Sequence, residues 1–171
     1  MTSQMFYFSG NDINNQLFNL RNLMREDTIE DINKAISSFE SVNDDFPGKL
    51  KKLKIEEEIQ LFGSGTLHDF FEPFLSNYCI EKIKEKNLDV IKNLFDKIEQ
   101  TLIQYPNSYI ENGIQVSFLE CLWGNYYEFH ELYIQFSQKH TLELTLKVNK
   151  RFKHEKESRK KIEKKLAQIK L

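Results

Sequence analysis

Glycine and proline are scarce in this sequence, six and three of 171 residues, so little interrupts the chain. Between those few breaks the apolar residues recur at three and four, and the two features together argue for helices nearly throughout. Cysteine is scarcer still. Cys79 and Cys121 lack CxxC spacing and fall short of the paired abundance of a small disulfide-built secreted scaffold. Both are expected as buried thiols in a reduced, cytoplasmic protein. Long apolar runs are also missing: no stretch approaches ~20 uninterrupted apolar residues. The opening MTSQMFYFSGNDINNQ has no basic segment followed by an apolar one. Export and membrane spanning are therefore not expected. At 171 residues the chain can bury a sizeable core without staples.

Signatures of chemistry are thin as well. His130 and Glu131 begin like a zinc-protease helix, but the second histidine that must follow one turn later is Ile134. His68, His140 and His154 stand in unrelated segments. LFGSGTLHD sets glycines before a helix start, yet neither GK[ST] nor a full GxGxxG accompanies them, and Gly63, Gly65 and Thr66 read as a turn with an N-cap. Ser64 and Ser117 lack an elbow context. An enzyme would need a pocket gathering His130 with Glu120, Glu128 or Glu131, which spacing alone does not supply. No catalytic activity, metal or cofactor is expected.

What is present is helical periodicity. Ile13, Leu17, Leu20 and Met24 make one stripe, and Ile29, Ile32, Ile36 and Phe39 another, with Thr28 and Asp31 at capping-box-like spacing. Pro47 and Gly48 are expected to end that element and permit a turn. After the Thr66 cap, Leu67, Phe70, Phe71, Phe74, Leu75 and Tyr78 should be buried, with Pro73 kinking the helix or marking its first turns. The most regular helix spans Leu88 to Gln104, with Leu88, Ile91, Leu94, Phe95, Ile98 and Leu102 inward and Asp89, Lys92, Asp96, Lys97 and Glu99 outward. The aromatic-rich stretch from Ile110 to Phe136 reads as two helices hinged at Gly124, its aromatics mostly core. TLELTLKVNK is the exception, because Leu142, Leu144, Leu146 and Val148 alternate strictly. That pattern signals a short β feature near 142–148 unless helix context overrides it. The expected fold is all-α, a compact multi-helix bundle: an acidic helical domain over 1–149 and a basic C-terminal helix or tail over 150–171.

Charge is divided along the chain. From Lys147 to Leu171 there are 11 Lys and Arg against 3 Asp and Glu, a surplus of +8, which leaves −10 over residues 1 to 146. An acidic body repels nucleic acid and attracts basic partners. Its recognition candidates are Asp44 and Asp45, then Glu56, Glu57 and Glu58, then Asp69 and Glu72, with Tyr126 and Tyr127 as aromatic contacts. The tail reads either as a phosphate-binding segment or as a charged helix docked through Ile162, Leu166 and Ile169, and a docked or solvated helix is favoured.

The run GIQVSFLECLWG, preceded by YPNSYIENG, resembles a loosely defined family of small helical bacterial proteins similar to immunity proteins of polymorphic or contact-dependent growth-inhibition toxins. The V-S-F-L-E-x-L motif falls here on Val116, Ser117, Phe118, Leu119, Glu120 and Leu122, and the resemblance covers about Leu50 to Val148. It implies no catalytic residues. It implies an immunity protein, and combined with the acidic body and reduced cysteines the expectation is a cytosolic protein that binds and neutralises a cognate toxin domain, an RNA-cleaving nuclease, by occluding a basic surface. The alternative is a nucleic-acid-binding or regulatory protein acting through the basic tail.

Overall fold

The computed structural model describes residues 30–52, 65–149 and 156–169. Eight helices run through them, and no strand occurs among the described residues. Helix α1 is residues 30–39, and α2 is Phe46–Lys52. Helix α3, residues 65–84, passes through three registers: α-helical Gly65–Asp69, π-helical Phe70–Ser76 and α-helical Asn77–Lys84. Helix α4 is Leu88–Gln104. Helix α5, residues 109–125, repeats the composite build with Tyr109–Gly113, the π segment Ile114–Leu119 and Glu120–Asn125. A 3-10 turn at Tyr127–Phe129 leads into α6, His130–Phe136, and α7 and α8 are Lys139–Asn149 and Lys156–Ile169.

Helix α1 buries Ile32, Ala35 and Phe39 at helical spacing, with Ile36 partly covered. The expected Ile13 to Met24 stripe, Thr28 and Ile29 lie outside the described residues. Pro47 and Gly48 do not form a turn before the next helix; they sit in the first turn of α2. There a missing N–H forfeits no intrahelical bond and the fixed φ of proline suits the helix.

Pro73 lies inside the π segment of α3, and the chain stays helical through it. Proline removes one N–H from the ladder, and the wider register absorbs the loss. The Ser76 hydroxyl donates to the Phe71 carbonyl five residues back at 2.9 Å. This π segment packs on that of α5. Their approach depends on Gly113, where an added Cβ would fall 2.6 Å from Phe71 Cδ2. Around the junction, Phe39, Phe46, Phe70, Phe71, Phe74 and Tyr78 form one network of ring contacts, with centroids 5.1 to 6.3 Å apart and several pairs edge-to-face. A second group joins Phe95, Phe118, Trp123 and Tyr133. Ser117, Phe118, Leu119 and Leu122 of the V-S-F-L-E-x-L motif are buried here, so the motif is core.

Helix α4 has the expected bounds, and Ile91, Leu94, Phe95, Ile98 and Leu102 face inward. Two of its residues depart from expectation: Leu88 is 49% exposed and Glu99 only 4%. Leu88 opens the helix just after the Asn87 cap, before the packed face begins. The break expected at Gly124 falls at Tyr126, whose φ of −130° and ψ of 51° end α5.

Of the two readings of 142–148, helix α7 gives the second: helix context overrides the alternation. Its alternating leucines suggested a period of two, but Thr141 and Thr145 are buried along with Leu142, Leu144 and Val148. Residues 141, 145 and 148 follow a helical face, and α7 packs against α4, the π segment of α5 and α8, which covers more than one side. The Thr145 hydroxyl donates to the Thr141 carbonyl at 2.7 Å, so its polar group is satisfied in the interior.

Helix α8 is docked, as favoured. Ile162 and Leu166 are buried, while Ile169 is 43% exposed. Lys165 Nζ donates to the carbonyls of Ile134, Gln135 and Ser137 at 2.6, 2.7 and 2.8 Å. The cation thus meets the orphan carbonyls and negative dipole end of α6. Desolvation there holds its pKa below the ordinary lysine value. Lys161 pairs with Glu131 on the same helix–helix seam.

Candidate binding surface

The expected contact residues separate into three environments. Asp45 is tied into the fold rather than presented outward. Its carboxylate accepts from Lys82 Nζ at 2.8 Å, the Tyr78 hydroxyl at 2.7 Å and Asn43 Nδ2 at 2.6 Å. Burial opposes ionisation, but these three donors outweigh it and bring the carboxyl down to about 2. Lys82, 6% exposed, also bonds Glu85 and lies 5.4 Å from the Tyr78 ring centroid. Lys49 joins the group with Nζ 3.8 Å from Asp45 Oδ2, and it also pairs with Glu81. Asp45 therefore links the loop before α2 to α3.

Asp69 and Glu72 stand one turn apart on α3, both exposed and without an ion-pair partner among the described residues, and Asp44 is likewise exposed. Glu56, Glu57 and Glu58 lie outside the described residues, as does the side chain of Tyr127. Tyr126 is half-buried against the core, so only part of its ring is offered to a partner.

His130 is buried, 6% exposed, and takes a packing role. Its ring lies 3.9 Å from that of Trp123, Nε2–H donates to the Trp123 carbonyl at 3.2 Å, and Nδ1 meets the Ser158 hydroxyl of α8 at 3.4 Å. Burial lowers its pKa from the ordinary value. Cys79 is wholly buried and desolvation pushes its thiol well up, whereas Cys121 is half-buried. Among the described residues, no three His, Cys, Asp or Glu side chains gather to hold a metal, and no helix is long and apolar enough to cross a membrane.

Glu99 and His140 form the most organised polar group. One carboxylate oxygen of Glu99 accepts from the His140 backbone N–H at 2.8 Å and from His140 Nδ1 at 2.7 Å. The other accepts from the Thr141 N–H at 2.9 Å and hydroxyl at 2.8 Å. Burial acts against the charge, yet the four donors hold the pKa below the ordinary value. Glu99 thereby caps the N-terminus of α7 from a different helix. In a neutral His140 ring the proton then sits on Nδ1, leaving the Nε2 lone pair without a partner among the described residues. The ring lines a groove of about 210 Å³ with Glu111, Glu143, Lys147, Leu102 and Leu144. Charge and spacing predict an outward Glu99 and assign His140 no role. A signal was available: Glu99 directly follows inward Ile98 and precedes inward Leu102 by three, on the flank of the buried stripe.

A family model, Domain of unknown function (DUF7674), matches residues 32–155. The chain belongs to this family. The match takes in most of α1, all of α2 and the V-S-F-L-E-x-L segment, and it begins upstream of the Leu50 limit of the motif-based resemblance. No curated protein and no solved structure matches the chain.

Proposed function

We propose that this chain is an immunity protein, a binding module that neutralises a cognate bacterial toxin domain by covering a basic surface. The toxin in this reading is an RNA-cleaving nuclease. Such an enzyme needs a cationic cleft for its substrate, and carboxylates placed where phosphates would sit can fill it. The observation that carries the reading is the state of the acidic groups: Asp44, Asp69, Glu72 and Glu143 are exposed or half-exposed and unpaired among the described residues. Meanwhile Lys161 and Lys165 of the basic helix are occupied in docking. Free carboxylates on an acidic body steer a cationic partner, and a few apolar anchors hold it.

Co-expression with the polypeptide encoded beside this chain tests the proposal. Copurification as a stoichiometric complex, with RNA cleavage by that polypeptide suppressed, is the expected result. A neighbour that neither binds nor loses activity would end this reading.

One observation favours a second reading. Lys156, Lys160 and Lys164 recur every four residues on the solvent side of α8, without ion-pair partners among the described residues. A nucleic-acid-binding role would run through that stripe and give strongly salt-dependent retention on RNA. Replacing the three lysines with glutamine would abolish retention under this reading and leave toxin capture intact under the first.

A further inference from the structure

The corner joining α4 to α5 and one face of α7 border the groove lined by His140 and Glu143. At about 210 Å³ it is smaller than the ~300–1,000 Å³ usual for small-molecule pockets, and it suits a single long side chain. Its walls differ in character. Leu102, Pro106 and Leu144 give an apolar side, and Glu111, Glu143 and the His140 ring a polar one. Glu111 is held in place by the Asn107 N–H, which donates to it at 2.7 Å, with Asn107 in the left-handed region at φ 57°. Ser108 caps the same turn by accepting from the Glu111 N–H at 3.2 Å. The corner is thus built rather than loose.

Two features show what the groove attracts. Its carboxylates outnumber its one cation, Lys147, which reaches only to 4.0 Å from Glu111. Glu143 has no partner among the described residues, and the His140 Nε2 lone pair is likewise open. Ile103 and Tyr109, on the same corner, are 57% and 66% exposed, two of the four large apolar side chains exposed among the described residues. They lie outside the groove lining and offer apolar surface to a partner on this corner.

We infer that this groove receives one arginine side chain from a basic polypeptide partner, its methylenes on Leu102 and Leu144 and its guanidinium shared between Glu143 and His140 Nε2. Arginine fits better than lysine because its planar, forked donors reach two acceptors at once, whereas an ammonium acts as a point charge. The buried Glu99 carboxylate serves as the positioning group, fixing the imidazole with Nε2 toward the guest. This partner class rests on the proposed function, since a basic toxin would bring the arginine.

Backbone-amide NMR titration of the full chain with N-acetyl-arginine methylamide, beside its neutral citrulline counterpart, tests the site itself. Arginine should shift signals around residues 107–111 and 140–147, with citrulline silent. Glu143→Gln should weaken that response about tenfold, as expected for the loss of a charge-assisted bond. Lys147→Met, which removes a competing cation, should strengthen it. Equal response to citrulline, no response, or shifts centred on Asp69 and Glu72 would overturn the inference. Any of those outcomes leaves toxin capture standing, because copurification decides that separately. A normal arginine response with no bound neighbour would instead remove the toxin reading and keep the groove.

Discussion

At the level of single residues, the least visible feature of the sequence carries a large share of the polar order. Glu99 has the character of a solvated helix residue, and its charge alone argues for an outward position. Its carboxylate instead meets four donors at the start of α7, and a buried carboxylate is tolerated because each oxygen is satisfied. Removing it strands donors rather than one contact. Glu99→Ala should cost about 2–3 kcal/mol, and a thermal melt should fall by roughly 5–10 °C. Glu99→Gln, which keeps the shape and one acceptor, should lose less. Equal melts for Glu99→Ala and the parent chain would mean that α7 needs no such cap. His130 follows the same logic from the other side. The His130-Glu131 pair begins like a zinc-protease helix, but the ring is a packed group between Trp123 and Ser158.

At the level of elements, periodicity was a good guide wherever one face of a helix is covered. Helix α4 has one such face, and its ends and most of its inward residues follow from the spacing of Ile91 to Leu102. Helix α7 is covered on more than one side, so its leucines need not keep one stripe, and a period of two appeared where none exists. Pro73 shows a related limit: a proline marks a disturbance, but the π register that absorbs it depends on the facing helix and on Gly113. For α8 the decisive contact is Lys165, whose ammonium closes the C-terminal end of α6. Lys165→Met keeps the stem and removes the cation. About 1 kcal/mol should be lost, and amide exchange across 156–169 should accelerate relative to α4. Unchanged protection of α8 would assign its docking to Ile162 and Leu166 alone.

For the whole molecule, three groups make acid the vulnerable direction. Burial depresses the folded pKa of His130 below the ordinary histidine value of 6.5, so the stability tied to its neutral ring is complete above that value and fades as pH falls toward the folded one. Asp45 is lowered from 3.8 to about 2, so its contribution is lost as pH falls through that window, and Glu99 acts in the same sense below the ordinary glutamate value of 4.5. Denaturant midpoints should therefore decline in two stages on acidification, and His130→Gln should abolish the upper stage only. A parent chain equally stable across the upper stage would contradict the burial of His130. The sequence by itself determined the all-α class, the bounds of α4, the core status of most aromatics and the acidic body with its basic end, because these depend on periodicity and composition along the chain. Only tertiary structure decided that Asp45 ties α3 to the preceding loop, that residues 142–148 are helical, and that Glu99 turns a histidine into a groove. Those outcomes depend on which face meets which neighbour, and a carboxylate becomes solvated, capping or paired according to the donors that other helices bring to it.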